Sequence, residues 1–462
     1  MRASRPILPW VVWGVAAIAY AVAVINRSSL SALGPAAQEH FGIDATTLSI
    51  FPVIQLLVYA GLQIPVGVLL DRIGATLMIL IGGGLMIVGQ VAMATVPDVW
   101  LAILARVLVG AGDACTFISV MRMLPEWFSL RQLPTISQVT GLIGQGGQLV
   151  SVVPLALLVS GTSWMGGFVG LAALGVLITI LGFAVLRNEP GDATLIERML
   201  GRRGKITENA RSFADTSTAA LRSVPPPPTE LITVAPTTSR GMSFWHRARG
   251  LLQIPGVRLA YWLHFLSPFA SNVFILLWGT PFLTGGLGLD DSAARGLLSL
   301  TVISSMAASV FLGPLSSRFI ERRVWMNVAI TVAIAIIWIA VMLWPGKPPL
   351  AVVVVLLIVI PIGGPASLIS FEVARSHTPR SYSGFATGLV NTGGFTSSLG
   401  VLLLIGLVLD LLGAGSPEDY SLAAFKVAFS VQIPFWVFGI AMVVIEQRRT
   451  KRWMEDNGRT LR

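Results

Sequence analysis

The feature that most limits what this chain can fold into is a long apolar stretch that is written twice. Residues 59–74 read YAGLQIPVGVLLDRIG, and within them Gly67, Leu69, Asp71 and Arg72 are matched by Gly313, Leu315, Ser317 and Arg318, 246 positions on (313 − 67). A second pair of segments gives nearly the same offset: Thr140, Gly141, Leu142, Gly146 and Gly147 return as Thr387, Gly388, Leu389, Gly393 and Gly394, 247 positions on (387 − 140). Two anchors that agree within one residue divide the chain into homologous halves, each built of apolar helices.

Composition decides the solvent. Over 462 residues, 54% are hydrophobic and 12% charged, and a mean hydropathy of +0.78 lies far above that of soluble domains, so the chain reads as an all-α integral membrane protein. The net charge of +10 collects in alternate loops, the central segment and the tail, which is a topology signal; no base-reading or aromatic element accompanies it, and nucleic-acid binding is not expected. The single Cys115 permits no internal disulfide and reads as a small core residue. No nucleophile–base pair or metal cluster stands at membrane depth, so neither an enzyme nor a metal or other cofactor is expected.

Six apolar spans precede the central segment, at about 10–36, 47–70, 77–96, 99–121, 134–159 and 164–186, and six follow it, at about 257–283, 293–315, 324–344, 349–371, 383–412 and 422–445. The predicted fold is twelve transmembrane helices in two pseudo-symmetric six-helix bundles. Residues 1–187 form the first bundle, 188–256 a cytoplasmic linker with Pro225 to Pro228 in a row, 257–446 the second bundle, and 447–462 a basic tail. The start, with Arg2, Arg5 and an apolar run, also fits a cleaved signal peptide, but cleavage would leave an odd helix count and break the repeat. Glycines 82 to 84 have no preceding strand and no following Lys, so they read as helix packing and not as a phosphate loop. Residues Phe244 to Leu252 carry an apolar and a basic side suited to a membrane surface.

With both termini on the cytoplasmic side, Arg72, Arg122, Arg131, the linker cluster, Arg318, Arg322, Arg323, Arg375, Arg380 and the basic tail all fall on that side, and the opposite loops keep only Arg295, Lys347 and Lys426 among seven acids. A plasma or inner membrane is the expected location, with a monomer as the functional unit and the bilayer as its partner.

Polar residues inside spans are costly, at least ~2.5 kcal/mol for an ionised group at the centre, and so mark a bundle interior or a functional path. The first span holds Asn26 and Arg27, and the fourth holds Arg106 and Asp113. Seven residues turn a helix through ~700° and advance it ~10.5 Å, so Arg106 and Asp113 share a face. The second half has Asn272 where the first has Asn26, but Val273 in place of Arg27, and an apolar residue in place of Asp113; charge at membrane depth is expected only in the first half. His264 reads first as a hydrogen-bonding helix contact and second as a proton relay. Gln145 and Asn391, at neighbouring places in the repeat, fit helix packing and cavity lining equally well.

Twelve spans in two halves, a basic central segment and GVLLDRIG after the second span together resemble the major facilitator superfamily over essentially the whole chain. Gly67, Leu69, Asp71, Arg72 and Gly74 keep that family's loop pattern, while Thr76 and Leu77 stand where a basic pair is usual. The resemblance implies a latch that opens and closes during transport. Its glycines let helix ends approach, and Asp71 can cap the amide end of a facing helix; the copy from Gly313 lacks the acid, so the latch is expected to be lopsided.

Within the superfamily, Tyr20, residues 26–30 (NRSSL), the 60–74 stretch and Arg106 with an acid seven residues on resemble the anion:cation symporters. That resemblance implies Arg27 and Arg106 as anion-binding residues, joined by Tyr20, Asn26, Gln145, Asn272 and Asn391, and Asp113 as the acid that carries a proton. Where that family usually has Asp before Arg27, this chain has Asn26, which removes one titratable site. The chemistry is apt: an Arg fork matches a carboxylate and stays charged, while burial opposes charge on Asp113 and a nearby Arg supports it. A small organic anion and a proton are thus the expected partners. A proton-coupled drug efflux antiporter shares the fold, but its Gly-Pro pattern in span five is absent, with Gly147 followed by Gln148. A nitrate or nitrite carrier shares the Gly-rich spans five and eleven but should have further arginines in spans two and eight. A neutral polyol would suit the glutamines but not the arginines, and a sensor would need a folded linker domain that is not evident. The same arginines and Asp113 could also serve only to hold helices together.

Overall fold

The structure is a computed structural model and describes residues 7–43, 45–152, 154–199, 244–379, 382–414 and 418–458. Arg2, Arg5, most of the linker with its proline run, Arg380 and the last four residues lie outside the described residues, as do the side chains of the first four residues of the 244–253 helix.

Among the described residues every regular element is helical. Eleven helical segments are long and apolar enough to cross a membrane. The fifth predicted span is covered by two helices, Leu133–Val152 and Pro154–Gly161, on either side of residue 153. Helices are the only open-ended elements that satisfy their own backbone in lipid, which is why so apolar a chain has this form.

By contact, the chain divides into two compact units. Unit 1 comprises residues 1–133, 140–232 and 381–388; unit 2 comprises 134–139, 233–380 and 389–462. The first residues of the fifth and eleventh spans are thus each counted with the unit of the opposite half.

Unit 1 is built from α1 (Leu8–Ala32), α2 (Gly34–Phe41), α3 (Ala45–Ile73), α4 (Ala75–Thr95), α5 (Val99–Trp127), α6 (Leu133–Val152, without its first residues), α7 (Pro154–Gly161) and α8 (Trp164–Val185). Local chemistry sets the ends. Asp98 caps α5 by accepting from Trp100 N at 2.9 Å and Leu101 N at 3.0 Å, and Ser163 caps α8 through Gly166 N. Gly74 breaks α3 from α4 at φ +86°, and a β-carbon there would press on the Asn188 amide, which receives the Thr76 N–H at 3.0 Å. Small residues bring α4 against α5: a β-carbon on Gly112 would lie 2.5 Å from Gly82 O. Gly83 faces Thr179 of α8 in the same way, while Gly84 faces no neighbour. α5 is the most buried of these helices, and Arg106, Asp113 and Cys115 all point into the unit.

In unit 2 the seventh span is broken. Helix Pro255–Leu266 gives way at Ser267 and Pro268 to a short turn and two wide π-type turns, Phe274–Trp278 and Phe282–Gly286. Side-chain hydrogen bonds gather at the break: Ser267 Oγ donates to Leu263 O at 2.5 Å, and Asn327 Nδ2 lies 2.8 Å from Ser267 Oγ and donates to Ala366 O at 3.0 Å. Outside the membrane, Asp290 caps helix Asp291–Arg318, and the hydrogen bond from the Ser292 hydroxyl holds its carboxyl below the usual carboxylate range.

Unit 2 also buries charge, just past the ends of its apolar runs. Glu372 and Glu446 are buried in unit 2, paired with Arg375 at 2.5 Å and with Arg258 at 2.9 Å. The helices that carry them run a turn or more past the apolar windows, so these pairs sit at helix ends.

Candidate functional site

The predicted residues fall into two groups by unit. Tyr20, Asn26, Arg27, Arg106, Asp113 and Gln145 belong to unit 1, and Asn272 and Asn391 to unit 2.

In unit 1 the centre is an ion pair between α1 and α5: Arg27 Nη1 lies 3.3 Å from Asp113 Oδ2. The two side chains differ in access, with Arg27 33% exposed and Asp113 0% exposed. Arg27 stacks over Tyr59 of α3, its Cζ 5.6 Å from the ring centroid. Tyr20, about two helical turns before Arg27 on α1, packs its ring 5.2 Å from Phe117 of α5, and its charge environment includes both Arg27 and Asp113. Gly144 of α6 lies directly against the Tyr20 ring, where a β-carbon would overlap Cε1. Gln145 beside it is half-buried. Among the described residues neither Asp113 oxygen has a hydrogen-bond donor, so a proton can be added there without first breaking a hydrogen bond.

Arg106 is placed differently. It is fully buried, and Nη1 donates to Asn26 O at 3.1 Å while Nη2 donates to Ser29 Oγ at 3.0 Å. Among the described residues it forms no ion pair, with Asp113 or any other acid, although it shares a helix face with Asp113: two turns separate them, and Asp113 turns to Arg27. Asn26 is pinned as well, with Nδ2 donating to Val22 O at 2.8 Å and Oδ1 accepting from Gln90 Nε2 at 2.5 Å. Gln90, Ser29 and Tyr59 were not singled out from the sequence; Tyr59 opens the repeated stretch and Gln90 is the lone amide in an apolar span, which are the signals that were there to use.

In unit 2, His264 is buried, with Nδ1 2.9 Å from Ser370 Oγ and 3.2 Å from Ser367 O, and Nε2 3.1 Å from Asn391 Oδ1. Asn272 Nδ2 donates to Ser398 Oγ at 3.0 Å.

The loop motif is satisfied within unit 1. Asp71 Oδ1 accepts from Gly384 N and Oδ2 from Phe385 N, both at 2.8 Å, at the start of helix Ser383–Leu411. A β-carbon on Gly67 would lie 2.7 Å from Gly384 O. Arg122 Nε stands 3.7 Å from Asp71 Oδ1, and Arg72 is exposed. In unit 2 the second copy is weaker: Ser317 Oγ donates to Gly313 O at 2.9 Å and lies 3.4 Å from Thr135 Oγ1.

A multi-pass helical membrane protein with a buried ion pair and an acid-capped loop motif is the architecture of a membrane carrier. The chain belongs to the Major Facilitator Superfamily, whose family pattern it matches over residues 16–402. It is 29% identical over 201 residues to the "Probable L-galactonate transporter" of Escherichia coli (strain K12), covering 42% of this chain and 44% of that one. It is 24% identical over 166 residues to the "Hexuronate transporter" of Bacillus subtilis (strain 168), covering 36% and 39%. The matches thus span less than half the length of these relatives. Among solved structures, a proton:xylose symporter bound to a bromo-deoxy-glucose superposes over 95% of this chain and 94% of its own with a TM-score of 0.67 and 14% identity, a likeness of fold.

Proposed function

We propose that this protein moves a small organic anion, a carboxylate of the sugar-acid class, across the membrane by alternating access, together with a proton and in the uptake direction. The observation that carries the reading is the Arg27–Asp113 pair, in which the cation is open on one side and the acid is closed off. An arriving carboxylate takes the fork of Arg27 as its partner. That withdraws the support Arg27 gives to charge on Asp113, which then takes up a proton, so anion and proton enter together and leave together. Arg106 serves the same site from behind: its bonds to Asn26 O and Ser29 Oγ fix the backbone of α1 beside Arg27. Tyr20 and Tyr59 line the approach, with Gln145, and Asn272 and Asn391 are the second unit's candidates for substrate contact.

The two bundles, 1–187 and 257–446, joined by the cytoplasmic linker 188–256 and followed by the tail 447–462, are the moving parts. Both termini face the cytoplasm, in a plasma or inner membrane, and one chain suffices. Gly67, Asp71, Arg72 and Gly74 act as the latch. The relatives named for galactonate and hexuronate support the substrate class.

The test is uptake of labelled sugar acids and other carboxylates by the purified protein in liposomes, with and without an inward proton gradient, for wild type, Arg27→Gln and Arg106→Gln. Gradient-driven accumulation of one anion that is lost in Arg27→Gln is the expected result. No accumulation of any carboxylate, with proton-driven expulsion of a lipophilic dye, would place the protein with the efflux antiporters.

A further inference from the structure

Unit 2 contains a cavity of about 520 Å³ that the transport reading does not use. It is walled by the ends of four spans: Pro255–Gly286 and Ile320–Leu343 near their starts, Leu350–His377 at its end, and the last turns of Leu422–Asp456. The depth of this cavity follows from the last of them. Its apolar run, 422–445, is 24 residues (445 − 422 + 1), or about 36 Å of helix against a hydrocarbon core of ~30 Å. The wall residues Gln447, Thr450 and Lys451 come just after it, and so stand at the level of the lipid headgroups.

The wall has two characters. Leu259, Val324 and Val373 give it an apolar side, while Arg322, Arg323 and Lys451 bring three cations against the acids Glu321 and Glu455. Among the described residues none of the three cations forms an ion pair within 4.0 Å. Arg323 is the telling one: it is buried, its Nε–H donates to Ser316 O at 2.8 Å, and among the described residues its two Nη groups have no hydrogen-bond partner, the nearby acid Glu372 being paired with Arg375. A buried guanidinium with donors left over is an anion seat, and a basic pocket between helices at headgroup depth is where membrane phosphates are found.

We propose that this cavity binds the phosphate headgroup of an anionic phospholipid, with Arg323 holding the phosphate from within and Arg322 and Lys451 drawing it in from the rim. The shared chemistry is a phosphate ester, which a free solute could also offer; the apolar wall and the depth favour the lipid.

The test is native mass spectrometry of the full-length protein titrated with phosphatidylglycerol, phosphatidylcholine and inorganic phosphate, for wild type and for Arg322→Gln with Lys451→Gln. Both substituted residues are exposed, so folding should survive. Each cation near a headgroup is worth roughly fivefold in affinity, so the double variant should bind phosphatidylglycerol ~30-fold more weakly, with phosphatidylcholine binding weak and unchanged. Equal binding of the two lipids by wild type, or unchanged phosphatidylglycerol affinity in the double variant, would overturn the proposal. Displacement of phosphatidylglycerol by millimolar inorganic phosphate alone would overturn the lipid as the occupant.

Discussion

Breaking the Arg27–Asp113 pair from either end should cost stability unequally, and a double-mutant cycle will show it. At 3.3 Å, Coulomb's law with an effective dielectric of ~20 gives about 5 kcal/mol of attraction. Arg27 is one-third open to its surroundings, so screening and desolvation reduce the net coupling toward the surface-pair limit; about 2 kcal/mol is the expected interaction energy. Asp113→Asn leaves a guanidinium that cannot lose its proton but can reach outward and keeps its place over Tyr59, so the cost should be ~1–2 kcal/mol. Arg27→Gln leaves a carboxylate with no exposed surface and no hydrogen-bond donor among the described residues, which should cost more, ~2–4 kcal/mol. The assay is unfolding of the purified protein in detergent micelles for wild type, both single variants and the double variant. The double variant should be more stable than the sum of the single losses predicts by about 2 kcal/mol. Additivity within ~0.5 kcal/mol would mean that the two groups do not interact, and the coupling argument would fall with it.

Three further outcomes follow from the geometry. Gln90→Leu removes the donor to the buried Asn26 Oδ1 and should destabilise the protein by ~1–3 kcal/mol; an unchanged melting temperature would show that Gln90 does not hold Asn26. Gly144→Leu forces a side chain into the Tyr20 ring and should cut uptake sharply, with partial recovery when Tyr20→Ala is added; failure of that second change to help would separate the two residues. Asp71→Asn loses the charge and one of the two acceptors that hold Gly384 N and Phe385 N, so hydrogen–deuterium exchange over residues 383–388 should quicken by roughly tenfold, the equivalent of about 1.4 kcal/mol; exchange at the wild-type rate would remove Asp71 from the latch.

Much of the fold could be read in advance because lipid allows so few solutions: apolar runs of this length must be helices, and the 246-residue offset supplies the two halves. Motif residues were legible where backbone geometry makes a demand, as at Gly74 with its positive φ, and Asp71, in the last turn of α3, was recognisable as a cap for a facing helix through the loop pattern it belongs to. Side-chain pairing was harder. Helical spacing puts Arg106 and Asp113 on one face, yet it says nothing of which neighbour each meets, and the structure gives Asp113 to Arg27 and Arg106 to the α1 backbone. Gln90 and Tyr59 carried local signals, as the lone amide of a span and the start of the repeated stretch, but their partners lie at least 32 residues away in sequence (59 − 27 for the nearer); Asn327, whose side-chain partners are Ser267 and Ala366, has no such mark. The buried acids Glu372 and Glu446 lie one residue past the apolar runs, on helices that continue beyond them.

The most direct test of the central claim is the proton itself. Liposomes loaded with a pH-sensitive dye, holding the wild-type protein and given an inward gradient of the transported carboxylate with no imposed pH difference, should acidify inside as anion and proton enter together, and Asp113→Asn should admit the anion without acidification. Anion entry with no lumenal pH change in the wild type, or equal acidification in Asp113→Asn, would contradict the coupling of Arg27 and Asp113 to transport.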